Sequence, residues 1–175
     1  MLTLVTGGAR SGKSRHALEI VKRAERKVFV ATAQAFDEEM RRRIERHREE
    51  REDSFLTIEQ PLDLARALRH IPPNTDAVLI DCLTIWLNNV MHLNGYDAES
   101  YDEVESFLGE LALPRPYELV IVANEVGLGL VPDTPLGRRF RDVAGEINQH
   151  VARLADQVLF MVSGLPLVVK GDSSP

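Results

Sequence analysis

A chain of 175 residues, 44% apolar and 27% charged, has the composition of one soluble globular domain with a continuous core, and it excludes a fibrous or low-complexity protein. The formal net charge of -6 argues against a general grip on nucleic acid, which needs a surplus of Lys and Arg, while leaving room for local basic clusters that hold a small phosphorylated ligand. The single cysteine, Cys82, cannot close an internal disulfide, and no Cys or His cluster has zinc-like spacing, so a reducing cytoplasm fits.

In chain order, "MLTLVTGG" carries a short apolar run without the basic leader of a signal peptide. Its strand, "LTLVTG" from Leu2, runs into "GGARSGKS", residues 7–14, which matches G-x-x-x-x-G-K-[ST] in full. A chance match in a chain of this length has odds below roughly 1 in 100. A strand before the motif and a helix over 13–25 after it bring backbone N–H groups and a helix N-terminus to one point. Gly7 and Gly12 let the backbone wrap a polyphosphate, Lys13 reaches its β and γ phosphates, and the Ser14 hydroxyl is placed to ligate Mg²⁺.

A second strand, "KVFVATA" from Lys27, precedes a segment in which fourteen of the seventeen residues from Asp37 to Asp53 are Asp, Glu or Arg. The i,i+4 pairs Glu38/Arg42, Glu39/Arg43 and Arg46/Glu50 predict a solvated helix over 37–52, each pair contributing about 0.2–0.5 kcal/mol. Met40, Ile44, His47 and Arg51 share one face of that helix. The positive charge of Arg48 and Arg51 favours a neutral imidazole at His47, and a neutral imidazole is a nucleophile toward phosphorus. The spacing alone leaves two readings open: an ordinary surface histidine and a catalytic one.

Further helices are predicted over 61–71, 98–111 and 135–154, the last from the apolar stripe Leu136, Phe140, Val143, Ile147, Val151 and Leu154. Strands are predicted at "AVLIDCL" from Ala77, "ELVIVAN" from Glu118 and "DQVLFMVSG" from Asp156, with "GLPLVVK" as a final strand after a turn. The apolar stretch "AVLIDCLTIWLNNVM" is interrupted by Asp81, Asn88 and Asn89 and is too short to span a bilayer, so no stable membrane insertion is expected. Asp81 stands at the carboxyl end of its strand, where an acidic residue holds the metal of a P-loop site; a capping aspartate is the other reading. Asn124 and Glu125 end a neighbouring strand in the same way, placed to orient a substrate or to cap the next segment.

These elements predict an α/β fold of the P-loop NTPase type, a mostly parallel central sheet flanked by helices, with a C-terminal antiparallel edge strand. Residues 1–170 are read as a single P-loop nucleotide-binding transferase domain and 171–175 as a flexible tail. The N-K-x-D signature of many switch GTPases is absent, which favours a group-transferring enzyme over a nucleotide switch.

At this level the chain resembles the bifunctional adenosylcobinamide kinase and adenosylcobinamide-phosphate guanylyltransferase family of cobalamin biosynthesis. The resemblance runs in order through "LVTGGARSGKSRHAL", "ATAQAFDEEMRRRIERHREER", "TIEQP", "LIDCLTIWLNN", "ANEVGLGLVPDTPLGRRFRDVAGEINQHVARLADQV" and "SGLPLVVK". It implies that His47, in the R-I-x-x-H-[KR] stretch formed by Arg43, Ile44, His47 and Arg48, is guanylylated during turnover. Some relatives carry two adjacent histidines there; this chain has Arg46 before His47.

The resemblance also implies nucleotide contacts at Gly7, Gly8, Ala9, Arg10, Ser11, Gly12, Lys13 and Ser14, at Ala31, Thr32 and Ala33, at Arg48, Glu49, Glu50 and Arg51, and at Glu59 and Asp81. For Glu59 the residues alone suggest only a turn before Pro61. ATP and GTP are the implied nucleotides, Mg²⁺ on Ser14 and Asp81 the implied metal, adenosylcobinamide and its phosphate the implied acceptors, and a homotrimer the implied assembly. Arg10, Ser11 and "NNVMHLNG" are unranked candidates for the corrinoid. The competing reading is a P-loop kinase for another small alcohol with His47 inert.

Overall fold

The computed structural model describes residues 1–34 and 54–172. The charged helix expected over 37–52 lies outside the described residues, and with it His47 and Arg48 to Arg51.

One seven-stranded sheet organises the molecule. Its strands are β1 (Leu2–Gly7), β2 (Lys27–Ala31), β3 (Phe55–Glu59), β4 (Ala77–Asp81), β5 (Glu118–Asn124), β6 (Gln157–Val162) and β7 (Leu165–Lys170). In space they run β3-β2-β4-β5-β1-β6-β7, with every neighbouring pair parallel except β6 and β7. The five described helices are α1 (Lys13–Val21), α2 (Leu64–Arg69), α3 (Leu83–Asn94), α4 (Asp102–Leu111) and α5 (Pro135–Leu154). The expected α/β sheet with an antiparallel C-terminal edge is therefore present.

Because strand side chains alternate between faces, the buried residues sort into two layers. Leu4, Val30, Ile80 and Ile121 share one core with Leu64 of α2, Trp86 and Leu87 of α3, Phe107 of α4 and Val143, Ile147 and Val151 of α5. Val5, Phe29, Leu79 and Val120 face the other way, against Ala17 and Val21 of α1. Strands covered on both faces read as continuous apolar runs, and this is why "LTLVTG", "AVLID" and "ELVIVAN" were visible in the sequence.

Helix boundaries follow their caps. Asp63 accepts a hydrogen bond from the Arg66 amide at 2.8 Å and starts α2 at Leu64, three residues later than the expected 61. Thr134 accepts from the Gly137 amide and Pro135 opens α5, whose observed span equals the expected 135–154. The centre of its stripe, Val143, Ile147 and Val151, is buried, whereas Leu136 and Leu154 at its ends are exposed. The helix expected over 98–111 begins at Asp102, and that over 13–25 ends at Val21.

Two elements were not expected. Strand β3 is an edge strand with three exposed residues out of five, so it lacks a buried run. Helix α3 occupies a stretch for which no helix is expected: the strand expected over "AVLIDCL" stops at Asp81 and a helix begins at Leu83. Leu83, Trp86, Leu87, Val90 and Met91 are all buried, and Trp86 packs against Phe107 with ring centroids 5.0 Å apart. A helix this apolar shows little amphipathic contrast.

Candidate active site

Parallel strands bring their carboxyl ends to one sheet edge. Gly7 of β1 pairs with Asn124 of β5, and Ala31 of β2 lies between Glu59 of β3 and Asp81 of β4. The sequence-predicted groups that are described, from the loop at Gly7 to Asp81 and Glu59, thus share that edge. From β1 to β4 is two strand spacings, about 10 Å, and to β3 four, about 19 Å. The helix after β1 packs on one face while those after β3, β4 and β5 pack on the other, which opens a crevice beside the phosphate loop.

The loop itself is tightly built. Gly7 has φ of +148°, and a Cβ there would stand 2.6 Å from the Met161 carbonyl oxygen of β6. Gly12 has φ of +93°, and its Cβ would meet Gly164 Cα at 3.2 Å. The Gly164 amide donates to the Ser11 carbonyl at 2.9 Å, so the β6–β7 turn braces the loop from behind. That support was not legible in the sequence, because it joins residues far apart in the chain.

Inside the loop the Lys13 ammonium donates to the Gly8 carbonyl at 2.6 Å, and Lys13 is buried. Helix α1 starts at Lys13 with no acidic residue in its first turn, so the positive end of its dipole faces the loop uncompensated there. The Ser11 hydroxyl is buried with no hydrogen-bond partner. Ala9 and Arg10 are exposed, and Gly8 and Ser14 are partly exposed. A helix N-terminus, a buried ammonium and an unmet hydroxyl together make a donor set suited to phosphate oxygens.

Thr32 is fully buried. Its hydroxyl donates to the Cys82 carbonyl at 2.9 Å and accepts from the Cys82 amide at 2.8 Å. Ala31 and Ala33 remain partly exposed on either side, and Glu59 is exposed. Asn89 is also buried and donates to the Thr32 and Pro61 carbonyls at 2.8 and 3.1 Å, so within "NNVMHLNG" it faces the interior while Asn88 faces outward. Burial pushes the Cys82 thiol up to about 12, with the neighbouring Asp81 carboxylate adding to the shift.

Residues after β5 tie into the same edge. The Glu125 amide donates to the Gly7 carbonyl at 2.9 Å, the Asn124 amide donates to the Thr84 hydroxyl at 2.8 Å, and Asn148 of α5 donates to the Asn124 carbonyl at 3.2 Å. The backbone of Asn124 is thereby held between α3 and α5. Neither Thr84 nor Asn148 carries a motif signal that would have marked it in the sequence.

Among the described residues, no three His, Cys, Asp or Glu side chains come together as a metal site. Mg²⁺ is held by one or two protein oxygens together with phosphate oxygens and water. The Ser14 hydroxyl and the Asp81 carboxylate are both hard oxygen donors, and both residues are partly exposed on the loop side of the sheet.

Residues 3–169 match the family model described as cobinamide kinase / cobinamide phosphate guanyltransferase. The chain belongs to this family. It is 42% identical over 173 residues to the bifunctional adenosylcobalamin biosynthesis protein CobP of Pseudomonas aeruginosa, covering 98% of this chain and 99% of that protein. It is 39% identical over 184 residues to the corresponding CobU protein of Escherichia coli, covering 97% and 100%.

Solved structures extend the likeness of fold beyond the family. A protein of Pyrococcus horikoshii OT3 superposes with a TM-score of 0.53 at 9% identity, covering 99% of this chain and 87% of that one. An ATPase from the type III secretion system of pathogenic bacteria gives 0.56 at 13% identity, covering 91% and 50%. The likeness is one of fold: a mostly parallel α/β sheet, here with the phosphate loop between β1 and α1. Among its described residues, no helix is long and apolar enough to cross a membrane.

Proposed function

We propose that this chain phosphorylates adenosylcobinamide with ATP or GTP, then transfers GMP from GTP through a guanylyl-histidine to adenosylcobinamide phosphate, yielding adenosylcobinamide-GDP in cobalamin biosynthesis. The observation that carries the reading is the donor-lined loop Gly7 to Ser14 at the carboxyl edge of the sheet, in a chain that matches the family from residue 3 to residue 169. Residues 1–170 act in this reading as one nucleotide-binding unit.

In the kinase step the oxygen of the corrinoid's aminopropanol hydroxyl bonds to the terminal phosphorus and its proton passes to water, while the bond to the bridging oxygen breaks and the nucleoside diphosphate leaves. Lys13 and the loop amides, Gly7 to Ser14, hold the phosphates in line, and positioning and charge compensation supply the rate enhancement. Ser14 and Asp81 would hold Mg²⁺, which would supply positive charge at the phosphate oxygens.

In the guanylyl step a neutral nitrogen of His47 attacks the α phosphorus of GTP, the bond to the β-phosphate oxygen breaks, and pyrophosphate leaves. A phosphate oxygen of adenosylcobinamide phosphate then attacks the same phosphorus, breaking the P–N bond and forming the diphosphate. Two displacements replace one difficult one. Arg48 and Arg51 hold phosphate oxygens, and Ala31, Thr32, Ala33, Glu49, Glu50 and Glu59 border the nucleotide, as the family resemblance implies.

Incubation with α-labelled GTP tests the reading. Acid-labile, alkali-stable label is expected on the wild type and absent from His47→Ala. Equal labelling of both proteins refutes His47 as the nucleophile, and no label on the wild type favours a kinase for another alcohol. A homo-oligomer, the trimer implied by the family, belongs to the same reading. It is supported by the exposed apolar side chains of Leu165, Leu167 and Val169 on edge strand β7, and sedimentation equilibrium measures it.

A further inference from the structure

Asp81 ends β4 on the loop side of the sheet, and the backbone that follows it is gripped from behind. The Thr32 hydroxyl bonds both the amide and the carbonyl of Cys82, at 2.8 and 2.9 Å, while the Thr32 amide donates to the Asp81 carbonyl at 3.4 Å. One threonine therefore holds both ends of the Asp81–Cys82 peptide group and the carbonyl of the next one, the two peptide groups that flank Cys82. Thr32 is itself held: the two amide hydrogens of Asn89 are matched to two carbonyls, those of Thr32 and Pro61. These carbonyls belong to the segments leaving β2 and β3, so Asn89 ties both exits to α3 beside Asp81. Thr32 and Asn89 are 0% and 4% exposed, which removes water as a substitute partner and directs their bonding inward.

We propose that Asn89 and Thr32 are positioning residues, a relay from the interior of α3 through the β2 exit that fixes the Asp81 carboxylate for the metal-bound nucleotide. This rests on the metal-holding role given to Asp81 above. It gives the Thr32 hydroxyl a task on Cys82 rather than on the nucleotide that this segment borders. It gives Asn89 a task that neither the motif nor the family description assigns.

The test uses the full chain with Asn89→Leu, Thr32→Val, Thr32→Ser and Asp81→Asn. Two quantities are read: GTP affinity by equilibrium titration with Mg²⁺ and again with EDTA, and hydrogen exchange at the Cys82 amide. Thr32→Val and Asn89→Leu are expected to weaken GTP about tenfold with Mg²⁺, the order that one net buried hydrogen bond supplies, and to change it less than about twofold with EDTA. Cys82 exchange is expected to accelerate in both, while the His16 amide within α1 keeps its protection. Thr32→Ser, which retains the hydroxyl, is expected to restore both readouts.

A direct nucleotide contact by Thr32 predicts equal loss with and without metal, and that result overturns the relay. So does faster Cys82 exchange with unchanged Mg²⁺-dependent affinity, or acceleration spread evenly over the whole sheet. Should Asn89→Leu fail to fold, the Thr32→Val and Thr32→Ser pair decides. If Asp81→Asn leaves the Mg²⁺ dependence intact, the metal role of Asp81 falls and the relay loses its function. Label on His47 is read separately, so failure of the guanylyl reading is distinguishable from failure of this one.

Discussion

Replacing Gly7 by Ala probes how the phosphate loop leaves the sheet. The added Cβ would lie 2.6 Å from the Met161 carbonyl oxygen and 2.9 Å from Ser11 Oγ. Ser11 can rotate, but the Met161 carbonyl belongs to β6, whose Met161 is paired with Gly7, so the strands themselves must separate. Overpacking of this kind costs about 1–3 kcal/mol. The backbone adds its own cost, because φ of +148° is held without strain only by glycine, and a sparsely populated conformation costs about 1–3 kcal/mol more. The sum, about 2–6 kcal/mol, corresponds at this chain length to a fall in Tm of at least about 4 °C. Gly8→Ala is the control, since its Cβ would meet nothing within 4 Å, and its Tm is expected to shift by less than about 2 °C. Calorimetry of the two variants, with GTP titration of each, makes the comparison. Equal Tm values for Gly7→Ala and the wild type would refute the argument that the loop's exit is sterically closed.

Trp86, the single tryptophan, is fully buried, and its indole N–H donates to the Leu62 carbonyl at 2.6 Å. Trp86→Phe removes that donor and leaves a void beside Phe107; a loss of about 2–4 kcal/mol is expected in denaturant unfolding. The wild-type emission should be blue-shifted and should move red in the same transition. The Cys82 thiol, held up to about 12 by burial first and by Asp81 second, is expected to resist alkylation at pH 8 in the native state and to react fully in denaturant. The sign of the linkage follows: an unfolded thiol ionises near about 8.5 while the native one keeps its proton, so this contribution to stability falls as pH rises from about 8.5 toward about 12. Cys82→Ala should flatten that alkaline limb in pH-dependent unfolding.

Much of the fold and part of the candidate site could be read before the structure. Strands buried on both faces show as apolar runs, so β1, β4 and β5 were visible. Helix α5 was visible because Val143, Ile147 and Val151 recur against a charged background. Strand β3 was not, since an edge strand with three exposed residues has no pattern to detect. Helix α3 was missed for the opposite reason, its apolar residues being too many to show a period. Gly7 to Ser14 carried their chemistry in their spacing, and Asp81 carried its place at the end of an apolar run.

What the sequence by itself determined is the set of local commitments: a phosphate loop between strand and helix, an acidic strand end, a capped amphipathic helix, and a family resemblance that singles out His47. These depend on neighbours a few residues apart, where backbone propensity and side-chain period act directly. Tertiary structure alone decided the strand order, which sets Asp81 two strands from Gly7, the bracing of the loop by Gly164, and the bonds from Asn89 through Thr32 to Cys82. Each of these joins residues dozens of positions apart, and such contacts form only when the sheet has closed over its core and left buried polar groups to find one another.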